Sequence, residues 1–250
     1  MKITFLSLLI TFLSVPAMAQ EDPTDPPQMW SQKELGVFIT DYLMNNPQVL
    51  LDSVDQYART QAEQAEARAN DLVRENSDVL FRNAALPEIG NPQGDVTMVE
   101  FLDYNCGYCK NAMEDVFALI GEDENVRVIL VDIPILGPAS TAAAKWALAA
   151  QKQGWYMDYH IALMEHSGRL DVPQLVVIAN RLGLDVDRLR ADAESEAVLN
   201  QIGENIELAR RLGIRGTPAF VVEDTLVRGY VGLDGLKQAV ADARLGGEEG

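Results

Sequence analysis

Cys106 and Cys109 are the only cysteines in this 250-residue chain, separated by Gly107 and Tyr108. At that spacing two thiols sit one helical turn apart, close enough to form a bond with each other or to attack a third sulfur in turn. The chemistry this suggests is thiol–disulfide exchange, with Cys106 as the attacking thiolate and Cys109 as the thiol that resolves a mixed disulfide.

The flanking residues supply the position. Val96 to Leu102 is a β-branched and apolar run of the kind that makes a buried strand, with Gly94-Asp95 leading into it, and Lys110 to Ile120 carries an amphipathic helical pattern. The cysteines therefore fall at a strand-to-helix junction, where unpaired backbone N–H groups and the positive end of the helix dipole favour a thiolate. An inert disulfide across so short a loop would remove little unfolded-state entropy. A zinc site with His160 and His166 would need ligands more than fifty residues away, at a spacing on the edge of the usual range. Those histidines, near Trp155, Tyr156 and Tyr159, read instead as packing or surface residues.

Residues 1–19 read as a secretory signal peptide: Lys2, an apolar stretch from Ile3 to Val15, and Ala17-Met18-Ala19 as the cleavage pattern. The expected location is periplasmic, an oxidising space in which a dithiol can do sustained disulfide chemistry. No later stretch reaches eighteen apolar residues. Cleavage would remove Lys2 and no acid, leaving 19 basic and 38 acidic residues and a net charge of −19, which makes nucleic acid and anionic membrane poor partners.

Residues 20–30, rich in Pro, Asp and Glu, read as extended. Residues 20–83 as a whole are expected to form an N-terminal helical oligomerisation region, helical from 31 to 81 with a break at Asn45-Asn46-Pro47. Its seam of Ala58, Ala62, Ala65, Ala69, Leu72, Asn76 and Val79 follows coiled-coil spacing. The more apolar Leu35, Val37, Phe38, Ile39, Tyr42, Leu43, Leu50, Leu51 and Val54 have no visible core of their own. Residues 84–94, with Pro87, Gly90, Asn91, Pro92 and Gly94, read as a linker, and 95–250 as the catalytic domain. There Val126 to Val131 is a second buried strand, parallel to the first through a right-handed crossover. A helical insertion spans about 139–212, punctuated by Gly154, Ser167-Gly168, Pro173, Gly183 and Gly203. Ala219 to Val222 and Leu226 to Tyr230 are short strands joined by Glu223-Asp224-Thr225, and a helix from about Leu233 closes the chain.

From about Asp95 to Leu245 these features resemble the DsbA-like thioredoxin-fold proteins: C-x-x-C at a strand end, a helical insertion, and Gly216-Thr217-Pro218 opening the next strand some 110 residues later. The fold implied is α/β, a thioredoxin fold with an inserted helical subdomain, preceded by the helical segment. The resemblance also implies a cis Thr217–Pro218 bond, with the Thr217 backbone against the dithiol where an extended substrate pairs as an added strand. Glu100, six residues before Cys106, matches the buried acid of thioredoxin-like proteins and would exchange the Cys109 proton. Asp103, Tyr104 and Lys110 read either as tuning groups or as a solvated rim.

Gly107-Tyr108 offers no cation to the thiolate, unlike the Pro-His dipeptide of strong DsbA oxidases. With Thr217 it is similar to the DsbC-type isomerases. The Asp103 to Lys110 run, Pro134 to Pro138 and the N-terminal helices are similar to the suppressor-of-copper-sensitivity C (ScsC) group, some of whose members are trimers. The resemblance thus implies a periplasmic protein disulfide isomerase, with Gly107, Tyr108, Thr217 and Pro218 at the substrate. Its partners would be exported proteins with disulfides, a DsbD-like membrane reductant, and further copies of the chain, a trimer favoured. It implies no cofactor. The alternatives are a DsbA-type dithiol oxidase, reoxidised at the membrane, a Cu(I)-binding copper-tolerance protein, and a scaffold without redox chemistry.

Overall fold

The computed structural model describes residues 30–248. The expected signal peptide, and the extended stretch as far as residue 29, lie outside the described residues.

Ser31 starts α1 (Gln32–Asn45) through a capping box: the Glu34 N–H donates to Ser31 Oγ, and the Ser31 N–H donates to the Glu34 carboxylate at 3.0 Å. Pro47, which lacks an N–H and disfavours helix at the residue before it, ends that helix and occupies the first turn of α2 (Pro47–Glu75). The chain divides near Ala58 into two compact units. In the first, Trp30 packs edge-on against Phe38 at 5.1 Å, and Leu35, Phe38, Tyr42, Leu50, Leu51 and Val54 are exposed.

The second unit holds the rest of α2, α3 (Ser77–Phe81) and a five-stranded sheet. Its strands are β1 (Glu88–Gly90), β2 (Val96–Leu102), β3 (Val126–Asp132), β4 (Ala219–Val222) and β5 (Thr225–Arg228), in the spatial order β1-β3-β2-β4-β5. Helix α4 (Gly107–Glu122) crosses between β2 and β3, which pair in parallel as expected; every other pairing is antiparallel. Helices α5 (Pro138–Gln151), α6 (Tyr156–Glu165), α7 (Val172–Leu182), α8 (Val186–Ala193) and α9 (Glu196–Arg211) form the insertion, and α10 (Gly232–Glu248) follows β5. Pro173 and Gly203 do not break it: Pro173 sits in the first turn of α7, where its missing N–H costs nothing, and Gly203 lies within α9.

Alternation along β2 and β3 sorts their side chains between two cores. Met98, Leu102, Val128 and Leu130 face α4, the insertion and α10, whereas Val99, Phe101, Ile129 and Val131 face the opposite side. There the cover is Ala69 and Val73 of α2, Leu80 of α3, and Leu208, Ala209 and Leu212 at the end of α9.

Two boundaries differ from the sequence reading. Residues 84–94 are not a free linker, since β1 pairs with β3 and Arg127 forms an ion pair with Glu88 at 2.6 Å. A strand of three residues is too short to show alternation. The alanine seam also divides: Ala58, Ala62 and Ala65 are exposed, while Ala69 is buried together with Val73 and Leu80, two residues outside the expected register. The last turns of α2 thus serve the sheet of their own chain. Leu80→Ala is expected to lower unfolding stability by about 2–5 kcal/mol and Ala62→Ser by under about 0.5 kcal/mol, measured by denaturant titration.

Candidate functional site

Cys106 is the N-cap residue of α4, with extended backbone angles, and its carbonyl accepts the Lys110 N–H at 3.2 Å. Both cysteines are free thiols withdrawn from solvent. The Thr217–Pro218 bond is cis, and the Thr217 carbonyl lies 3.2 Å from Cys106 Sγ. Gly107 and Tyr108 form the outer lip. A Cβ at Gly107 would meet no atom within 4 Å, and Tyr108, 64% exposed, stacks on Tyr230 at 6.0 Å.

The turn that presents the dithiol is buried, which rules out a solvated rim at Asp103 and Tyr104. The Asp103 N–H donates to Cys109 Sγ at 3.5 Å, and its carboxylate accepts from the N–H groups of Asn105 at 2.9 Å and Leu136 at 3.0 Å. The Asn105 side chain accepts the Leu170 N–H at 2.9 Å, and the Lys110 ammonium donates to the His166 carbonyl. The helical insertion therefore grips the turn from several sides.

The two thiols differ sharply in acidity. Cys106 is lowered to about 5, first by the hydrogen bond from the Cys109 thiol and then by the Thr217 side chain and the backbone N–H groups of Cys109 and Tyr108, which together outweigh burial. Cys109 is pushed far up, by donating its proton to Cys106 and by burial. A thiolate at the surface end and a protonated thiol beneath it are the arrangement that attack followed by resolution needs. No cation contributes to holding the Cys106 thiolate.

Glu100 is fully buried and raised to about 8, by desolvation first and by Asp132 second. Asp132, which the sequence reading did not single out, is buried with it. It accepts from the Tyr156 hydroxyl at 3.4 Å, and the Tyr104 hydroxyl reaches both the Tyr156 oxygen at 3.2 Å and His160 Nδ1 at 3.0 Å. Burial lowers His160 to about 3 and so keeps it neutral. The available signal was phase: Asp132 follows Leu130 by two residues and so falls on the same buried face. Among the described residues no group of three or more His, Cys, Asp or Glu side chains is placed to hold a metal.

A thioredoxin-type sheet with a C-x-x-C motif at the N-terminus of its crossover helix and a cis proline opposite defines a dithiol thioredoxin-fold protein. The model of the DSBA-like thioredoxin domain family matches residues 97–241, more than half of the chain, and the protein belongs to that family. Among solved structures it is similar to a thioredoxin-like oxidoreductase from Silicibacter pomeroyi DSS-3 (47% identity, TM-score 0.66, covering 67% of this chain and 96% of that one). It is also similar to a linker-deletion mutant of Proteus mirabilis ScsC (26% identity, TM-score 0.67, covering 90% and 99%). Disulfide bond formation protein D of Bacillus subtilis is 26% identical over 172 residues, 62% of this chain and 75% of that protein. The chain spans only about a quarter of the length of the first curated relatives it matches, Na(+)/H(+) antiporters such as NhaA 1 of Salinispora arenicola (24%).

Two measurements follow from these environments. Cys109→Ala, which removes the largest of the interactions that lower Cys106, is expected to raise the Cys106 titration midpoint above about 5 in the ultraviolet absorbance of the thiolate. Folded Glu100 and Asp132 hold protons to about 8 and about 7, whereas their ordinary values are 4.5 and 3.8. Between those limits the folded state binds more protons than the unfolded chain, so stability present at about pH 4 is lost as pH rises toward 8. Denaturant titrations across that range should show the fall, and Glu100→Gln should flatten it.

Proposed function

We propose that this protein is a periplasmic thiol–disulfide oxidoreductase acting on exported proteins, chiefly as a disulfide isomerase returned to its dithiol state by a DsbD-like membrane reductant. The observation that carries the reading is the opposed acidity of the two thiols at one helix N-terminus. The Cys106 thiolate attacks one sulfur of a mispaired disulfide, a Cys106–substrate bond forms, and the other substrate sulfur leaves as a thiolate free to attack elsewhere in the same protein. When that rearrangement stalls, Cys109 attacks Cys106 Sγ, gives up its proton with the help of Glu100, and expels the substrate thiolate. The enzyme disulfide left behind takes two electrons from the membrane partner.

Thr217 and Pro218 would hold an extended substrate segment beside the thiolate, with Gly107 and Tyr108 on the other side of the cleft. Isomerase rather than oxidase is favoured by the dipeptide: Gly107-Tyr108 adds no cation to the hydrogen bonds that already lower Cys106 to about 5, so the thiolate lacks the further stabilisation of a strong oxidant. The exposed Phe38, Tyr42, Leu50, Leu51 and Val54 support assembly through α1 and the start of α2 with further copies of the chain, a trimer favoured. Similarity to the Proteus mirabilis protein over 90% of the chain fits that assignment. Among the described residues no helix is long and apolar enough to cross a membrane.

The test is refolding of scrambled ribonuclease by the full chain and by a version lacking residues 20–58, a cut that spares the core residues Ala69, Val73 and Leu80. Isomerase activity that collapses on truncation, together with a fall in molar mass to a monomer, is the expected result. Cys106→Ser should reduce activity to background, and Cys109→Ser should accumulate mixed disulfides visible on non-reducing gels. No isomerisation by the full chain, with rapid oxidation of a reduced substrate, would overturn the reading in favour of a dithiol oxidase.

A further inference from the structure

Glu100 has a partner that thiol chemistry alone does not call for. In the parallel register Glu100 pairs with Leu130, and Asp132 lies two residues beyond Leu130 on the same strand. Residues two apart on a strand share a face, so both carboxyl groups project from the face of the sheet that α4 covers. They are 2% and 1% exposed, and each keeps one oxygen without a hydrogen-bond partner, Glu100 Oε1 and Asp132 Oδ2.

The surroundings contain nothing to neutralise two negative charges. The turn after β2 holds the further acid Asp103, whose carboxylate is engaged by two backbone N–H groups. β4 contributes no titratable side chain, and α4 contributes Cys106, Cys109 and Lys110, the ammonium of which is committed to the His166 carbonyl. The turn before α4 adds the Tyr104 hydroxyl. α6 adds Tyr156 and a neutral His160, α9 adds the amide of Asn205 on the Asp132 carbonyl, and α5 adds only the hydroxyl of Ser140. Among the described residues no Lys or Arg is buried. Two carboxyl groups on adjacent strands, offset by two residues in register on one dry face, oppose each other's ionisation and titrate as a pair.

We propose that Asp132 is a positioning residue for the resolving step: it shares a single proton with Glu100, so the pair meets the reaction as a monoanion able to take the proton of Cys109. This rests on the reading of Glu100 as the acid that serves Cys109. In the step, the Cys109 S–H bond breaks and its proton joins the carboxyl pair. The sulfur's electron pair forms the bond to Cys106 Sγ, the Cys106–substrate bond breaks, and the substrate leaves as a thiolate. The pair, then neutral, releases one proton to solvent before the next cycle. The Tyr156 hydroxyl, donating to Asp132, stabilises the monoanion of the pair. Their raised proton affinities, about 8 for Glu100 and about 7 for Asp132, fit one shared proton near neutral pH.

The test uses the full chain and a peptide disulfide, following release of the peptide thiol from the mixed disulfide as a function of pH, with the infrared carbonyl band of protonated carboxyl groups as an independent readout. Asp132→Asn is expected to lower the midpoint of the release step by about one pH unit, since it removes the charge that opposes ionisation of Glu100. Glu100→Gln, which leaves Asp132 as the one acid of the pair, is expected to displace that titration and to weaken the infrared band near neutral pH. Tyr156→Phe keeps both acids and removes the hydroxyl that donates to Asp132 and meets Tyr104, so the band should shift in frequency. If Glu100→Gln displaces the titration while Asp132→Asn leaves the midpoint in place, the shared proton is overturned and the role of Glu100 survives. If Glu100→Gln changes nothing, both fall. If Asp132→Asn does not fold, the decision passes to Tyr156→Phe, and an unmoved band overturns the proposal.

Discussion

The Asp103 carboxylate holds the turn between β2 and α4 in one conformation, and the chemistry of the site depends on that turn. It satisfies two backbone N–H groups, one within the turn at Asn105 and one across the cleft at Leu136, while its own N–H points at Cys109 Sγ. A short polar side chain that takes up buried backbone donors is worth more here than an equivalent bond at the surface, because leaving those donors unpaired would carry the full desolvation cost. With the turn fixed, Cys106 falls on the cap position of α4 and the Thr217 carbonyl meets its sulfur. The insertion acts through the same turn: Leu170 and Ser140 bind Asn105, and Tyr156 and His160 bind Tyr104.

Polarity is graded by depth. At the mouth, hydrogen-bond donors converge on Cys106 and favour negative charge; one turn of helix below, burial disfavours it on Cys109; and deeper in the sheet two acids sit in a shell of hydroxyl groups with no buried cation. Each step inward makes charge harder to hold. A proton leaving Cys109 therefore needs a receiver already paid for in folding energy, and burying the acids is what lowers stability between about pH 4 and pH 8.

Much of this was legible in the sequence because local pattern and tertiary role coincide. The strand run before Cys106 and the amphipathic run after it announce their elements by composition, the Thr217-Pro218 bond is read through the resemblance to DsbA-like proteins, and the parallel β2–β3 pairing follows from a helix between two buried strands. Asp132 was missed because an acid ending an apolar run reads as a strand terminus meeting water; only the helices of the insertion, distant in sequence, turn that end into an interior. His160 was legible as a packing residue, but its Tyr104 partner lies 56 residues away. Val73 and Leu80 escaped because coiled-coil spacing describes a helix facing another helix, whereas the end of α2 and α3 face a sheet, whose flat surface selects a different row of side chains.

The open space at Gly107 and the exposure of Tyr108 separate two properties that most buried sites tie together. Since a side chain at either position projects outward and displaces nothing, the dipeptide between the cysteines can change identity without repacking the interior. Mutation can thus explore the oxidising strength of such a protein at nearly constant fold stability, and one scaffold can diverge into donors and reshufflers of disulfides through two codons.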